Sequence, residues 1–237
     1  MIVYPEAWEH IGQKIHLNEI VYLILRILSD IPCNCLALSG GMDSSLLLYF
    51  MLQVHKKITA FTIGLADEHP DVKYAEMIAD KYPCVMHKIY IPRPDKIKRE
   101  KQPNESLGDT AVRLFYGFVS GHTDGIIAGD GIDEFMCGYY SHEENPSERT
   151  YYNHIRQLKK KHLIPLDRNS GKVEVYLPFL DSRLISLLSQ IPIIEKVDFN
   201  HRKKLMVDMA KGRIPDEIIT RRKYGFCDAF NIKEAQK

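Results

Sequence analysis

The run Leu36-Ala37-Leu38-Ser39-Gly40-Gly41-Met42-Asp43-Ser44-Ser45 constrains this chain more than any other stretch, because an apolar strand passes directly into a glycine-rich turn that opens an amphipathic helix. Gly40 and Gly41 carry no Cβ to hold an anion away from the backbone, and they permit positive φ, so successive N–H groups can converge on one phosphate. The helix that follows, from Leu46 to Leu52, directs its positive end at the same point. Ser39, Ser44 and Ser45 add hydroxyl donors. Asp43 would repel a bare phosphate, but it fits if it holds Mg²⁺ bridging the phosphates. The expected ligand is a nucleoside triphosphate.

Around this turn the chain alternates strands and helices. A helix is expected from about Trp8 to Ser29, with Ile20, Leu23, Ile24, Ile27 and Leu28 on one face. Strands are expected at Leu36–Leu38, Ile58–Gly64, His87–Ile91 and Gly125–Ala128. Helices are expected at His69–Tyr82, capped by Pro70 and Asp71, and at Thr110–Gly121. Strand and helix in alternation imply an α/β fold, a parallel twisted sheet with helices on both faces, whose ligands sit at the carboxyl ends of the strands. Beyond Gly138 the chain is expected to be helical or irregular. One domain over 1–237 is expected: an N-terminal helix (1–30), a nucleotide-binding core (31–140) and a mostly helical remainder (141–237).

Composition matters mainly for what it excludes. A net charge of +1 gives no bulk attraction to nucleic acid or an anionic membrane. The basic runs Arg156–His162 and His201–Lys204 then read as solvated helix faces, although Lys203 could also reach the site. Five cysteines without CxxC spacing suggest neither a disulfide framework nor a zinc ribbon, and fit a reducing, cytoplasmic setting. No export signal and no apolar run long enough to span a membrane is found.

A second loop, Ala128-Gly129-Asp130-Gly131-Ile132-Asp133-Glu134, follows the last expected strand. Its carboxylates should face the same crevice as Asp43, and carboxylates from two separate strand ends are what Mg²⁺-pyrophosphate requires.

These motifs carry a resemblance. Ser39–Ser45 matches the SGGxDS signature of the PP-loop ATP pyrophosphatases, and the chain lacks the Gly-Lys-Ser/Thr of a Walker A loop. Phe61–Leu65, Gly129–Tyr139 (like SGEGSDExFGGY) and Leu177–Arg183 (like VPFLDxR) extend the match. So does a tail from Lys203 through Ile214–Ile218 to Arg222–Phe226. Together they resemble the synthetase domain of the asparagine synthetase family, which also includes β-lactam synthetases.

The resemblance implies an ATP-dependent carbon–nitrogen ligase that adenylates a carboxylate, foremost aspartate, releases pyrophosphate and passes the acyl group to ammonia or an amine. It implies Asp43 and Asp133 as Mg²⁺ ligands, and Ser39, Gly40, Gly41 and Ser44 as the pyrophosphate grip. Leu38, Ile63, Ala128 and Gly129 would border the adenosine. Asp130 stands where the family has a glutamate that helps form the acyl-adenylate, and Lys223 would neutralise the α-phosphate. Asp181 fits a helix cap better than a ligand contact, and Lys223 could equally be a surface lysine beside a solvated Arg221-Arg222 pair.

Family acceptor recognition draws on 141–173, which is short and divergent here, and on the loop near Leu107–Thr110. Only 35 residues precede Leu36, so no glutaminase domain is expected, and a separate glutaminase subunit could supply ammonia. A β-lactam synthetase-like ligase, a tRNA-modifying PP-loop enzyme and a non-catalytic nucleotide-binding regulator remain as alternatives.

Overall fold

The computed structural model describes residues 16–64, 67, 69–91, 94–103 and 105–221. Helix α1 (Leu17–Asp30) starts where Glu19 accepts a hydrogen bond from the His16 backbone N–H at 2.9 Å. His16 is extended, so the helix does not run on from Trp8 through this point; residues 8–15 lie outside the described residues. Strand β1 (Cys35–Ala37) leads through the glycine turn into α2 (Met42–Val54). That helix is not amphipathic as expected. Ser44 to Leu48, Phe50 and Met51 are all buried, and each buried leucine contributes about 1.5–3 kcal/mol.

Strand β2 (Thr59–Gly64) and helix α3 (Pro70–Lys81) follow. The cap of α3 is His69, not Pro70 or Asp71: its Nδ1 accepts from the Asp71 N–H at 3.3 Å, while Pro70 takes the first helical position, where no N–H is needed. Strand β3 (Val85–Tyr90), α4 (Pro94–Glu100), α5 (Leu107–Val119), β4 (Gly125–Ile127), α6 (Ile132–Phe135), α7 (Tyr140–Glu144) and α8 (Glu148–Leu158) come next. Leu107–Thr110, expected as loop, is the first turn of α5, because Ser106 and Asp109 form a capping box.

Helix α8 continues through one π turn (159–163) into α9 (Ile164–Ser170). The wider turn ends two residues before Pro165, which has no N–H to give the preceding turn. Strand β5 (Glu174–Tyr176), a 3₁₀ turn (Pro178–Leu180), α10 (Ser182–Ser189), α11 (Ile193–Lys196), α12 (Lys204–Ala210) and α13 (Asp216–Thr220) complete the described chain.

All five strands are parallel, in the order β3-β2-β1-β4-β5. Alternate residues feed two cores. Leu36, Ala60 and Ile127 face α1 and α2, whereas Cys35, Phe61 and Ile126 face α5, so helices do cover both faces. β5 overturns the expectation of helical or irregular chain after Gly138: three residues give too little pattern to announce a strand, and its place comes from pairing with β4 at Gly125↔Glu174. No described helix is long and apolar enough to cross a membrane.

The strand order reverses between β1 and β4. The crevice above that switch point is where a parallel sheet leaves room for a ligand.

Candidate active site

The turn after β1 and the turn after β4 meet in a cleft of about 910 Å³. Leu38, Ser39, Gly41, Asp43, Ser44, Ile63, Ala128, Gly129, Asp130 and Asp133 all line it, so the structure brings together ten of the expected positions. Gly40 packs elsewhere. Its φ is +65°, and a Cβ there would overlap the backbone of Tyr74 and Ala75 in α3, so the turn requires glycine for both conformation and space. Gly41 has ordinary negative φ and starts α2. Its N–H lies 3.4 Å from Ser39 Oγ, which is 3.2 Å from Ser44 Oγ, so the loop's hydroxyls are held in one cluster. Lys223 lies outside the described residues.

Asp43 sits in the first turn of α2 and Asp133 in the first turn of α6, at the ends of neighbouring strands. Both point at one atom. Lys203 Nζ is 2.7 and 2.6 Å from the two oxygens of Asp43 and 2.6 Å from Asp133 Oδ1. Of the two readings of Lys203, the structure selects the site. The run 201–204 is thus not wholly solvated, since Lys203 is 6% exposed. Burial opposes its charge, but the carboxylates of Asp133 and Asp43 outweigh that and raise its pKa. By contrast Arg156 and Lys159–His162 are exposed, as expected of a solvated face.

Gly138 makes the convergence possible: a Cβ at this position would overlap both Asp133 Oδ1 and Lys203 Cε. Its carbonyl accepts from Arg202 Nη1 at 2.8 Å, which fixes the segment carrying Lys203 over the cleft. Arg202 also pairs with Glu143 at 3.3 Å and lies over the Tyr140 ring.

Beyond Asp133 the cleft wall becomes a buried polar group. Glu134 accepts from Tyr139 Oη at 2.7 Å, and burial pushes its carboxyl above the ordinary range despite that bond. Tyr139 stacks on His154, and the Nδ1 of buried His142 accepts from the Tyr139 N–H at 3.2 Å.

Arg221 was one of a pair that could be solvated. It is buried. Its Nη1 donates to the Gly40 carbonyl at 2.9 Å, its Nη2 donates to Asp71 Oδ1 at 2.6 Å, and it lies over the Tyr74 ring. Neighbouring basic residues hid this role, for nothing local separates a buried arginine from a solvated one. The block Leu177–Arg183 is structural in the same way: Leu180 packs where a Cβ on Gly131 would fall, and Asp181 caps α10 through the Arg183 N–H at 2.9 Å.

The donor chemistry of the convergence suits a hard divalent cation. Two carboxylates already share a single positive centre, and oxygen ligands of this kind are what Mg²⁺ takes, with phosphate oxygens and water completing the shell.

A parallel α/β sheet that carries a glycine-serine turn and paired carboxylates at its switch point has the architecture in which open α/β folds take their ligands. The asparagine synthase family model matches residues 23–172 and 152–236, and the chain belongs to that family. It is 27% identical to the glutamine-hydrolyzing asparagine synthetase of Gallus gallus, over 86% of this chain and 40% of the relative. It is also 27% identical to a probable glutamine-hydrolyzing asparagine synthetase of Dictyostelium discoideum, over 91% of this chain and 41% of the relative. The chain thus spans about two-fifths of the length of these relatives. Among solved structures, the NH3-dependent NAD synthetase of Campylobacter jejuni aligns with a TM-score of 0.43 and 18% identity, covering 73% of this chain and 92% of that one.

Proposed function

We propose that this chain is an ATP-dependent amide-forming ligase, in which a carboxylate, foremost aspartate, is adenylated and then transferred to ammonia. The observation that carries the proposal is the convergence of Asp43 and Asp133 on one point beside the Ser39–Ser44 turn. Family membership supports it.

In this reading the Ser39, Gly41 and Ser44 donors hold the terminal phosphates at the start of α2, while Leu38, Ile63, Ala128 and Gly129 enclose the adenosine. Asp43 and Asp133 would hold Mg²⁺. When bound, the cation neutralises the phosphate oxygens and favours departure of pyrophosphate. The substrate carboxylate attacks the α-phosphorus, the bond to the β-phosphate oxygen breaks and pyrophosphate leaves. Ammonia then attacks the acyl carbon, its surplus proton passes to solvent, and AMP departs with the bonding electron pair. Lys203 adds a positive charge beside the phosphates, and Lys223 is proposed to do the same at the α-phosphate. Asp130 lines the cleft where the mixed anhydride forms and orients it.

The test is AMP, pyrophosphate and asparagine production from Mg²⁺-ATP and aspartate, with and without ammonium, in wild type and Asp43→Asn. Wild type is expected to form asparagine only with ammonium, and Asp43→Asn to lose at least a hundredfold. Full pyrophosphate release by Asp43→Asn would sink the assignment. A second arm with glutamine and an added glutaminase reports whether ammonia can come from a partner.

A further inference from the structure

Two carboxylates that share a buried ammonium are not a vacant metal site. The three contacts of Lys203, at 2.6 to 2.7 Å, place Nζ where a divalent cation bound by Asp43 and Asp133 would lie. A Mg²⁺ about 2.1 Å from each carboxylate and an ammonium in contact with both would occupy the same space and repel one another.

The side chain has little freedom to step aside on its own. It is 6% exposed, and Gly138 closes against its Cε. Of the other cleft acids, Asp71 is engaged with Arg221, Glu143 with Arg202, Asp208 with Lys211, and Glu134 with the Tyr139 hydroxyl. Displacing the ammonium with a bare cation would leave a buried positive charge without its counter-ions, which is far more costly than moving it onto another anion. A nucleoside polyphosphate supplies that anion at the neighbouring turn.

We propose that Lys203 is the resident counter-ion of the Asp43–Asp133 pair, so that a divalent cation enters this site only together with the nucleotide that takes over the lysine. The proposal rests on the reading of the cleft as a metal–nucleotide site. It adds an order of binding: the metal arrives as the nucleotide complex. Lys203 is left-handed, with φ 51° and ψ 36°, a conformation that a non-glycine residue holds only under local constraint, here at the start of α12.

The test follows Mn²⁺ binding by the loss of the free-ion electron paramagnetic resonance signal, with and without a non-hydrolysable ATP analogue whose own Mn²⁺ binding is measured without protein and subtracted. Wild type is expected to bind Mn²⁺ at least tenfold more weakly without the analogue than with it. Lys203→Met, checked for folding by circular dichroism, is expected to bind Mn²⁺ alone at least tenfold more tightly than wild type, and Asp43→Asn in that background to abolish the gain. Lys203→Arg keeps the cation and should bind Mn²⁺ alone no better than wild type.

Equal nucleotide-free affinity in wild type and Lys203→Met would overturn the proposal while nucleotide-dependent metal uptake kept the site reading intact. If Lys203→Met does not fold, wild-type Mn²⁺ affinity unchanged by the analogue overturns it by itself. Absence of Mn²⁺ uptake by any of these proteins, even with the analogue, would overturn the site reading and the proposal together.

Discussion

Arg221 donates to Asp71 at 2.6 Å across 150 residues of chain, and through the same guanidinium to the carbonyl of Gly40. The pair ties the end of the described chain to the glycine turn after β1 and to α3. Arg221→Met leaves Asp71 buried without its cation, a change that typically costs about 3–5 kcal/mol. It also frees the Gly40 carbonyl, so nucleotide affinity should fall along with stability. Urea denaturation and calorimetric ATP titration check the two effects. Adding Asp71→Asn to Arg221→Met should recover part of the stability, because the uncompensated charge is gone.

Gly138→Ala should disturb the site far more than one methyl group usually does. Overpacking typically costs about 1–3 kcal/mol, and here the displaced groups are Asp133 and Lys203. Pyrophosphate release is expected to fall at least tenfold. Gly117→Ala is the contrast, since a Cβ in that turn of α5 meets nothing within 4 Å. It should stabilise by roughly 0.5–1 kcal/mol through helix propensity and leave activity unchanged.

The pH dependence of stability has one source at His142. Burial, then the neighbouring His154, lowers its pKa from 6.5 to about 4. Between those values the unfolded chain binds a proton that the folded one refuses. The contribution is therefore complete above about pH 6.5 and lost as pH falls through about 4, and it amounts to roughly 3 kcal/mol. Histidine NMR should show the ring neutral at pH 5.5, and His142→Asn should flatten the stability profile between pH 6.5 and 4. A His142 resonance titrating near 6.5 would contradict this.

Lys196 is fully buried, donates to Tyr151 Oη at 3.1 Å and lies over that ring, with no carboxylate shown beside it among the described residues. Burial lowers its pKa from 10.5 to about 8. The folded protein thus gains stability as pH rises from about 8 to 10.5 and carries the full penalty of the charge below that window. Lys196→Met should raise the melting temperature at pH 7 and do so less at pH 10. A lower melting temperature at pH 7 would mean that the tyrosine contact outweighs the buried charge.

How far the sequence reaches is seen by following single residues. The run Leu36–Ser45 determined a strand, a tight turn and a helix, because apolar periodicity and glycine act over a few residues of backbone. The spacing of the acids after Ala128 determined in the same way that a second strand end carries carboxylates. Motif order sufficed to identify the family. Its assignments of Asp43 and Asp133 fall where two carboxylates face one atom.

Other features depended on contacts made across the chain. β5 exists because β4 offers it a free edge, and α2 lost its expected polar face because α1 and α12 pack against it. Lys203 and Arg221 stand in basic runs that look solvated; one lies 160 residues from Asp43 and the other 150 from Asp71. Local sequence sets backbone preference and amphipathic pattern. Which charge is buried, and against which partner, was decided only when the sheet's topology brought the ends of β1 and β4 together and the C-terminal helices laid their cations across them.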